Sequence, residues 1–224
     1  MIKIENVDVH NIARAIYSAR NAMNSWDKSD SNFEKDILGN ADLELAKKLV
    51  KAGTDHSKFM RMITVTLDIT APMYWWKEAS TYKVGTVRNS CSTMHTIHKK
   101  EFTLDDFSHE HILFWDYEGE GDTTFKETFD HEEYICTSQS VLDHIITALN
   151  HYRKQYIETK DKEYWWQIIQ LLPSSYNQRS TVQLNYAVLR NIYHARKGHK
   201  LDEWRDFCKW VEELPYSELI TMEG

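Results

Sequence analysis

Apolar positions recur along this chain at two periods, and each change of period marks an element. Met1 to Val9 (MIKIENVDV) alternates and predicts a short strand. From Asn11 to Met23 the spacing becomes helical, with Ile12, Ala15, Ile16, Ala19 and Met23 on one stripe and Arg14 and Arg20 outside it. The polar run NSWDKSDSN reads as a loop. Asp42 to Ala52 predicts a second amphipathic helix, with Leu43, Ala46, Leu49 and Val50 inward and Gly53 as its stop. Ile63, Val65, Leu67 and Ile69 alternate strictly, a half-buried strand ending before Pro72. Phe102 to Asp130 is acidic and aromatic, with Glu118, Glu120 and Asp122 set around Gly119 and Gly121, and reads as a solvated loop or hairpin.

Helical spacing then dominates. Val141, Leu142, Ile145, Ile146, Leu149 and Tyr152 define one long helix, and Trp165, Trp166, Ile168, Ile169 and Leu172 another, both expected in the core. Leu184, Val188, Leu189, Ile192 and Ala195 predict a helix over 181–196. After Gly198 a last helix, with Leu201, Trp204, Phe207, Cys208 and Val211 inward, stops at Pro215. These elements add up to an α+β fold, several helices packed on a small, mainly antiparallel sheet that includes Ile63 to Ile69.

Composition narrows the class. With 224 residues, 42% of them hydrophobic, and eight tryptophans, the chain can bury a substantial core as a single domain over 1–224. A net charge of −7 argues against a surface for nucleic-acid polymers, which needs clustered Lys and Arg. One mononucleotide needs only a local basic pocket. Cys91, Cys136 and Cys208 are odd in number and lack metal-type pairing, which points to a reducing compartment and a cytoplasmic location. No signal-peptide pattern opens the sequence, and no apolar run approaches the roughly 18 residues of a membrane span. His95, His98, His109, His111 and His131 have no HExxH or cysteine context, so no metal is expected.

The polar side chains between Leu172 and Trp204 are the candidate chemistry. Arg179, Asn185, Asn191 and Arg196 punctuate the apolar run. On one continuous helix Asn185 and Arg196 would lie within about 20° of each other and about 16 Å apart, roughly a nucleotide's length, with Asn191 elsewhere. Spacing leaves two readings open: a solvated half-exposed helix, or a nucleotide-binding helix at a subunit interface.

Leu172, Pro173, Arg179, Asn185, Asn191 and Arg196 follow one another at the intervals of the C-terminal part of the flavin-dependent thymidylate synthases, and the stretch resembles that family. His199 matches with a one-residue deletion. Upstream, His56 precedes Pro72 by the sixteen residues that separate a flavin-contacting His from a Pro in the family. The resemblance implies that Arg179 and Arg196 hold deoxyuridine monophosphate and that His56, Asn185, Asn191 and His199 face FAD. It also implies a homotetramer with sites at subunit junctions.

The family's signature, Arg-His-Arg followed after seven residues by Ser, is replaced here. Thr81, Tyr82 and Lys83 occupy the first three positions and Cys91 the Ser position, with Asn89 and Thr93 for the flanking Glu and Arg. Lys83 alone keeps the cationic character, as a cofactor contact. A charge-assisted hydrogen bond contributes about 1.5–3 kcal/mol, so two lost arginines remove roughly 3–6 kcal/mol, about a hundredfold to ten-thousandfold in affinity. Arg88, absent from the family pattern, is a source of replacement charge. Cys91 has three readings: a thiolate that attacks C6 of a pyrimidine, as in the unrelated folate-dependent synthases, a substrate-binding substitute for Ser in a phosphate-binding turn, or a buried residue.

The resemblance implies flavin-dependent methylation of dUMP to dTMP, with methylenetetrahydrofolate giving the carbon, NADPH the reducing equivalents and Arg196 acting on the base. The altered signature keeps two alternatives: another group placed on a pyrimidine nucleotide, and non-catalytic nucleotide binding or sequestration.

Overall fold

The computed structural model describes residues 1–113, 124–129 and 132–223. Along the chain the elements are β1 (Lys3–His10), α1 (Ile12–Ala19), α2 (Asn40–Lys51), β2 (Thr64–Pro72), α3 (Met73–Ala79), β3 (Val87–Ser90) and α4 (Thr93–Thr96). There follow β4 (Thr124–Phe129), β5 (Glu132–Thr137), α5 (Ser138–Thr159), α6 (Lys162–Leu171), β6 (Asn177–Asn185), α7 (Tyr186–Arg196), α8 (Asp202–Glu212) and α9 (Glu218–Thr221). The fold is α+β, as the periodicity predicts, and its described elements form two compact units.

The larger unit holds residues 2–70, 75–90 and 179–224. Its sheet has the order β1-β2-β6-β3, with β1 antiparallel to β2 and β3 antiparallel to β6. Val65, Leu67 and Ile69 of β2 are buried, and the threonines and Asp68 between them are only half-buried. One sheet face is therefore apolar and the other polar. Helix α8 buries Trp204, Phe207, Cys208 and Val211, the stripe that its spacing predicts.

Three expectations fail in this unit, the first being Met23, read as part of the inward stripe of α1 but 81% exposed on the 3-10 segment that follows the helix. The helix over 181–196 begins only at Tyr186, because residues 177–185 form strand β6. Within it Ser180, Val182 and Leu184 are buried while Arg179, Thr181 and Gln183 are exposed, a period of two that the following helix masks. Arg20 is not outside the core: it is 6% exposed, and its Nε donates to Asp42 Oδ1 at 2.6 Å. The other Asp42 oxygen accepts from the Ser29 and Ser31 hydroxyls, which ties the polar loop to α2. Burial of a guanidinium is tolerable here because its charge is paired and hydrogen-bonded.

The smaller unit holds Met1 and residues 71–74 and 91–178. Its core is built from Ile97, Phe102, Phe107, Leu142, Leu149 and Ile168, with α5 packed on α6. A Thr137–Ser140 capping box starts α5. Strands β4 and β5 pair as an antiparallel hairpin. Phe102 and Phe107 are core residues rather than parts of a solvated segment, because their rings pack with Tyr176. Glu118 to Asp122 and His131 lie outside the described residues. Trp166, expected inward, is 43% exposed, since α6 turns Ile168 to the core instead.

Candidate functional site

Within the larger unit, an aromatic cavity of about 230 Å³ lies between the apolar sheet face and the helices. Ile69, Val182 and Leu184 supply its sheet wall, Trp75 and Trp76 of α3 a second, and Trp204 and Phe207 of α8 a third. Ring centroids of Trp75 and Trp204 are 4.7 Å apart, and those of Tyr82 and Trp204 are 5.9 Å apart. Tyr82, Lys83, Thr86 and Arg88 also line it. The Arg88 guanidinium lies 3.6 Å from the centroid of the Trp76 ring, and its Nε donates to Ser180 Oγ at 2.9 Å.

Glu78, the sixth residue of α3, organises the polar side of this region. Its Oε2 accepts from Arg196 Nη1 at 3.0 Å and from Trp204 Nε1 at 3.1 Å, with His199 Nε2 at 3.5 Å. Arg196 Nε also donates to the Tyr82 hydroxyl at 2.8 Å. The guanidinium stands 5.0 Å from the Trp204 ring centroid, so it is clamped between a carboxylate, a phenol and an indole. His199 Nδ1 accepts from the backbone N–H of Leu201 at 3.2 Å, which leaves its Nε2 proton for Glu78. Nothing in the pattern of the sequence singles out Glu78. Tyr82 had a signal, since it fills the middle position of the replaced signature.

Arg179 lies elsewhere. On β6 it alternates with the buried positions and points to the polar face, where its Nη2 donates to Asp68 Oδ2 at 2.8 Å. Asp68 also accepts from Thr181 Oγ1 at 2.5 Å and Asn6 Nδ2 at 2.8 Å. Those hydrogen bonds, Thr181 first, then Asn6 and Arg179, hold the carboxyl well below the usual carboxylate range. Arg179 is thus on the polar face of the sheet, whereas Arg196, at the end of α7, contacts Tyr82 and Trp204 of the cavity lining, and each arginine is paired with a carboxylate.

The remaining candidate residues have distinct placements. Asn185 does not share a helix face with Arg196 as a regular turn residue: it is the N-cap of α7, its Oδ1 accepting from Val188 N–H at 3.0 Å. Its amide nitrogen faces the Lys83–Thr86 turn, where Gly85 has a φ of +78° and a Cβ there would come within 3.3 Å of Nδ2. Asn191 is exposed on α7, and His56 is exposed in the turn before the 3-10 segment Lys58–Arg61. Cys91, in the smaller unit, is exposed, and its carbonyl accepts from Gln178 Nε2 at 3.0 Å. Among the described residues the side chains of His56, Lys83 and Asn191 and the Asn185 amide nitrogen make no hydrogen bond within the protein, and of the four only Lys83 lines the cavity. His199 is already engaged.

Among the described residues no group of three or more His, Cys, Asp or Glu side chains is placed to hold a metal, and no helix is long and apolar enough to cross a membrane.

No family model matches the chain, and no curated protein matches it in sequence. Solved structures do. The chain is similar to thymidylate synthase X (ThyX) from Helicobacter pylori with FAD and dUMP, at a TM-score of 0.68 and 17% identity over 99% of this chain and 98% of that one. A second structure of ThyX from Helicobacter pylori, complexed with FAD and dUMP, gives 0.63 and 18%, covering 98% and 97%. The UMP/dUMP methylase PolB from Streptomyces cacaoi, bound with 5-Br dUMP, gives 0.57 and 13%, covering 95% and 89%. The three share this chain's fold.

Proposed function

We propose that this protein binds a pyrimidine nucleotide of the dUMP type and methylates C5 of its base, in sites completed by a second copy of the chain. The observation that carries this is the clamped Arg196. Glu78 and Tyr82 hold its guanidinium beside an aromatic cavity, in the chain segment with the family's spacing, on the fold of proteins solved with dUMP. A preorganised guanidinium hydrogen-bonds a ring carbonyl and stabilises the negative charge that builds as C5 becomes nucleophilic. C5 takes the one-carbon unit from methylenetetrahydrofolate and then loses its proton. Tetrahydrofolate would leave as its C–N bond to that carbon breaks, and FAD, reduced by NADPH, would supply the hydride that turns the remaining exocyclic methylene into a methyl. His56, Lys83, Asn185 and Asn191 would hold that cofactor.

The sheet supports a second copy. Arg179 faces away from the cavity side, so one nucleotide meets both arginines only when another protomer contributes one of them. This is the reason for assigning a homo-oligomer, with the tetramer implied by the family resemblance. In this role Arg179 would leave Asp68 for the phosphate.

A second reading, nucleotide binding without turnover, is favoured by one observation: both arginines already sit on carboxylates, Asp68 and Glu78. Calorimetric titration of the purified chain with dUMP, followed by FAD absorbance and turnover with methylenetetrahydrofolate and NADPH, separates the two. Saturable dUMP and FAD binding with product formation is the expected result. Binding of dUMP without FAD at about 100 μM, where a mid-micromolar site is mostly filled, would support the binding protein. Cys91→Ser keeps activity on the proposed mechanism. Loss of activity in that variant would make the thiol the nucleophile.

A further inference from the structure

Among the described residues the buried and half-buried arginines are Arg20, Arg153, Arg190 and Arg196. Three of them have the partners that a charge withdrawn from water requires. Asp42 accepts from Arg20, the carbonyls of Leu219, Ile220 and Met222 accept from Arg190 Nη1, and Glu78 accepts from Arg196. Arg153, on α5, differs: no oxygen of the described residues accepts from its guanidinium. Its Nε is shielded from solvent, while Nη1 and Nη2 are open to it. A guanidinium keeps its proton in a protein, so this charge persists.

Two lysines and a histidine gather beside it. Asn150 of α5 holds the segment 97–102 against the helix, its Oδ1 accepting from Phe102 N–H at 2.9 Å and its Nδ2 donating to the Phe102 carbonyl at 2.8 Å. The His98 ring sits edge-on to Tyr156, with centroids 5.0 Å apart, and Tyr156 stands three residues after Arg153 on the same helix face. Lys160, the C-cap of α5, has its Nζ 5.9 Å from the centroid of that Tyr156 ring. Burial, then the charges of Lys160, Lys99 and Arg153, hold the His98 pKa below its ordinary value, which marks all three as neighbours of the imidazole. His98 Nδ1 is turned inward and its Nε2 is open to solvent. Among the described residues neither Lys99 nor Lys160 pairs with a carboxylate, whereas Lys100, next along, has Asp106 at 2.8 Å. The helix dipole attracts a cation in the last turn, which accounts for Lys160. It does not account for Arg153, about two turns earlier.

We propose that the solvent-facing nitrogens of Arg153, His98, Lys99 and Lys160 form a binding site for a phosphate-type anion. The contacts run through Arg153 Nη1 and Nη2, His98 Nε2 and the two ammonium groups; the shielded Nε and Nδ1 take no part. A guanidinium fork matches two phosphate oxygens, and the lysines act as point charges. A phosphate monoester carries about −1.5 to −2 at neutral pH, so it offsets more of the three permanent charges than one carboxylate does. All four residues belong to the smaller unit, and none is among the nucleotide or cofactor residues proposed above, so the site does not rest on that reading.

The test is calorimetric titration of the dialysed full-length chain with inorganic pyrophosphate at low salt, repeated with inorganic phosphate and with citrate. Saturable pyrophosphate binding that weakens as salt is added is expected, with phosphate weaker and citrate weakest. Arg153→Gln should weaken pyrophosphate binding about tenfold or more, the loss of a charged hydrogen bond, while the melting temperature without ligand holds or rises. An arginine that serves only by packing its stem would lower the melting temperature on replacement and leave the affinity unchanged. The exposed pair Lys99→Gln and Lys160→Gln, which removes no buried group, should together weaken binding about fivefold or more and decides the matter if Arg153→Gln fails to fold. Arg179→Ala should bind pyrophosphate as wild type does. No saturable binding up to about 1 mM, unchanged affinity in the Arg153 and lysine variants, or binding lost in Arg179→Ala alone overturns the proposal. Citrate binding tighter than pyrophosphate overturns the phosphate assignment. Calorimetry with dUMP on the same preparations keeps the two proposals apart: dUMP binding intact in Arg153→Gln is expected, and its loss there together with pyrophosphate would merge this site with the nucleotide's and overturn it as a separate one.

Discussion

The Arg196 guanidinium and the Glu78 carboxylate meet at 3.0 Å, and the same carboxylate oxygen takes the Trp204 indole N–H at 3.1 Å. The arginine's direction is thus set by a residue 118 positions earlier in the chain. Its charge is offset at the same time, so an arriving anion competes with Glu78. Replacing Glu78 by Gln keeps an acceptor for all three donors and removes the negative charge. Affinity for dUMP should rise about two- to fivefold, the size of one partly exposed charge interaction, and the gain should shrink in high salt. Unchanged affinity in low-salt calorimetry would place the nucleotide away from this pair.

Arg196→Ala should be the most damaging single change to function. Losing a preorganised donor to the reacting base costs about 2–4 kcal/mol of transition-state stabilisation, read as kcat/KM. The fold should survive, because the guanidinium borders the cavity and contributes little apolar area. Wild-type turnover and dUMP binding in this variant would remove Arg196 from the site.

Arg179 and Arg196 supply a test of the shared site. Each Ala variant alone should be inactive. Mixed by co-refolding, the two should recover activity in about a quarter of the sites, those pairing an intact Arg179 from one copy with an intact Arg196 from another. No recovery in the mixture, or a monomer by light scattering at micromolar concentration, would contradict a site made by two copies.

Asp68 links stability to acid. Its folded pKa is depressed by Thr181, Asn6 and Arg179, below the roughly 3.9 of an unfolded aspartate. Its contribution is therefore complete above about pH 4 and is lost as the pH falls further. Asp68→Asn should lower the urea midpoint at pH 7, and the difference from wild type should narrow below pH 4. Parallel curves across that range would show that the carboxylate's charge has no part in stability.

Asp42→Ala should be the costliest of these changes for folding. It strands the Arg20 guanidinium, 6% exposed, and leaves the Ser29 and Ser31 hydroxyls without their acceptor. Breaking one side of a buried pair costs about 3–5 kcal/mol, measurable as a shift in the urea midpoint at constant slope. A change under about 1 kcal/mol would mean that water reaches Arg20.

Where burial follows directly from local periodicity, the amino-acid sequence was sufficient. The alternation in β2 and the stripe Trp204, Phe207, Cys208, Val211 in α8 put the same residues inside the protein that their spacing predicts. Strand β6 was hidden because Leu184 belongs to two patterns. It ends the alternation Ser180, Val182, Leu184, and it also begins the helical series that continues through Val188 and Ile192. Ser180 is 1% exposed, and a small polar residue carries no hydrophobic signal at an inward position. The buried Arg20 was misplaced for the same reason: its burial depends on Asp42, a partner that periodicity does not reveal. Tertiary structure alone decided the candidate site. Glu78 and Tyr82 reach Arg196 across 118 and 114 residues, and Arg179 is turned to the other face by the pleat of a single strand. Spacing along a chain reports which side chains share a face of one element, and it is silent on which elements pack together and on which charges cancel where they meet.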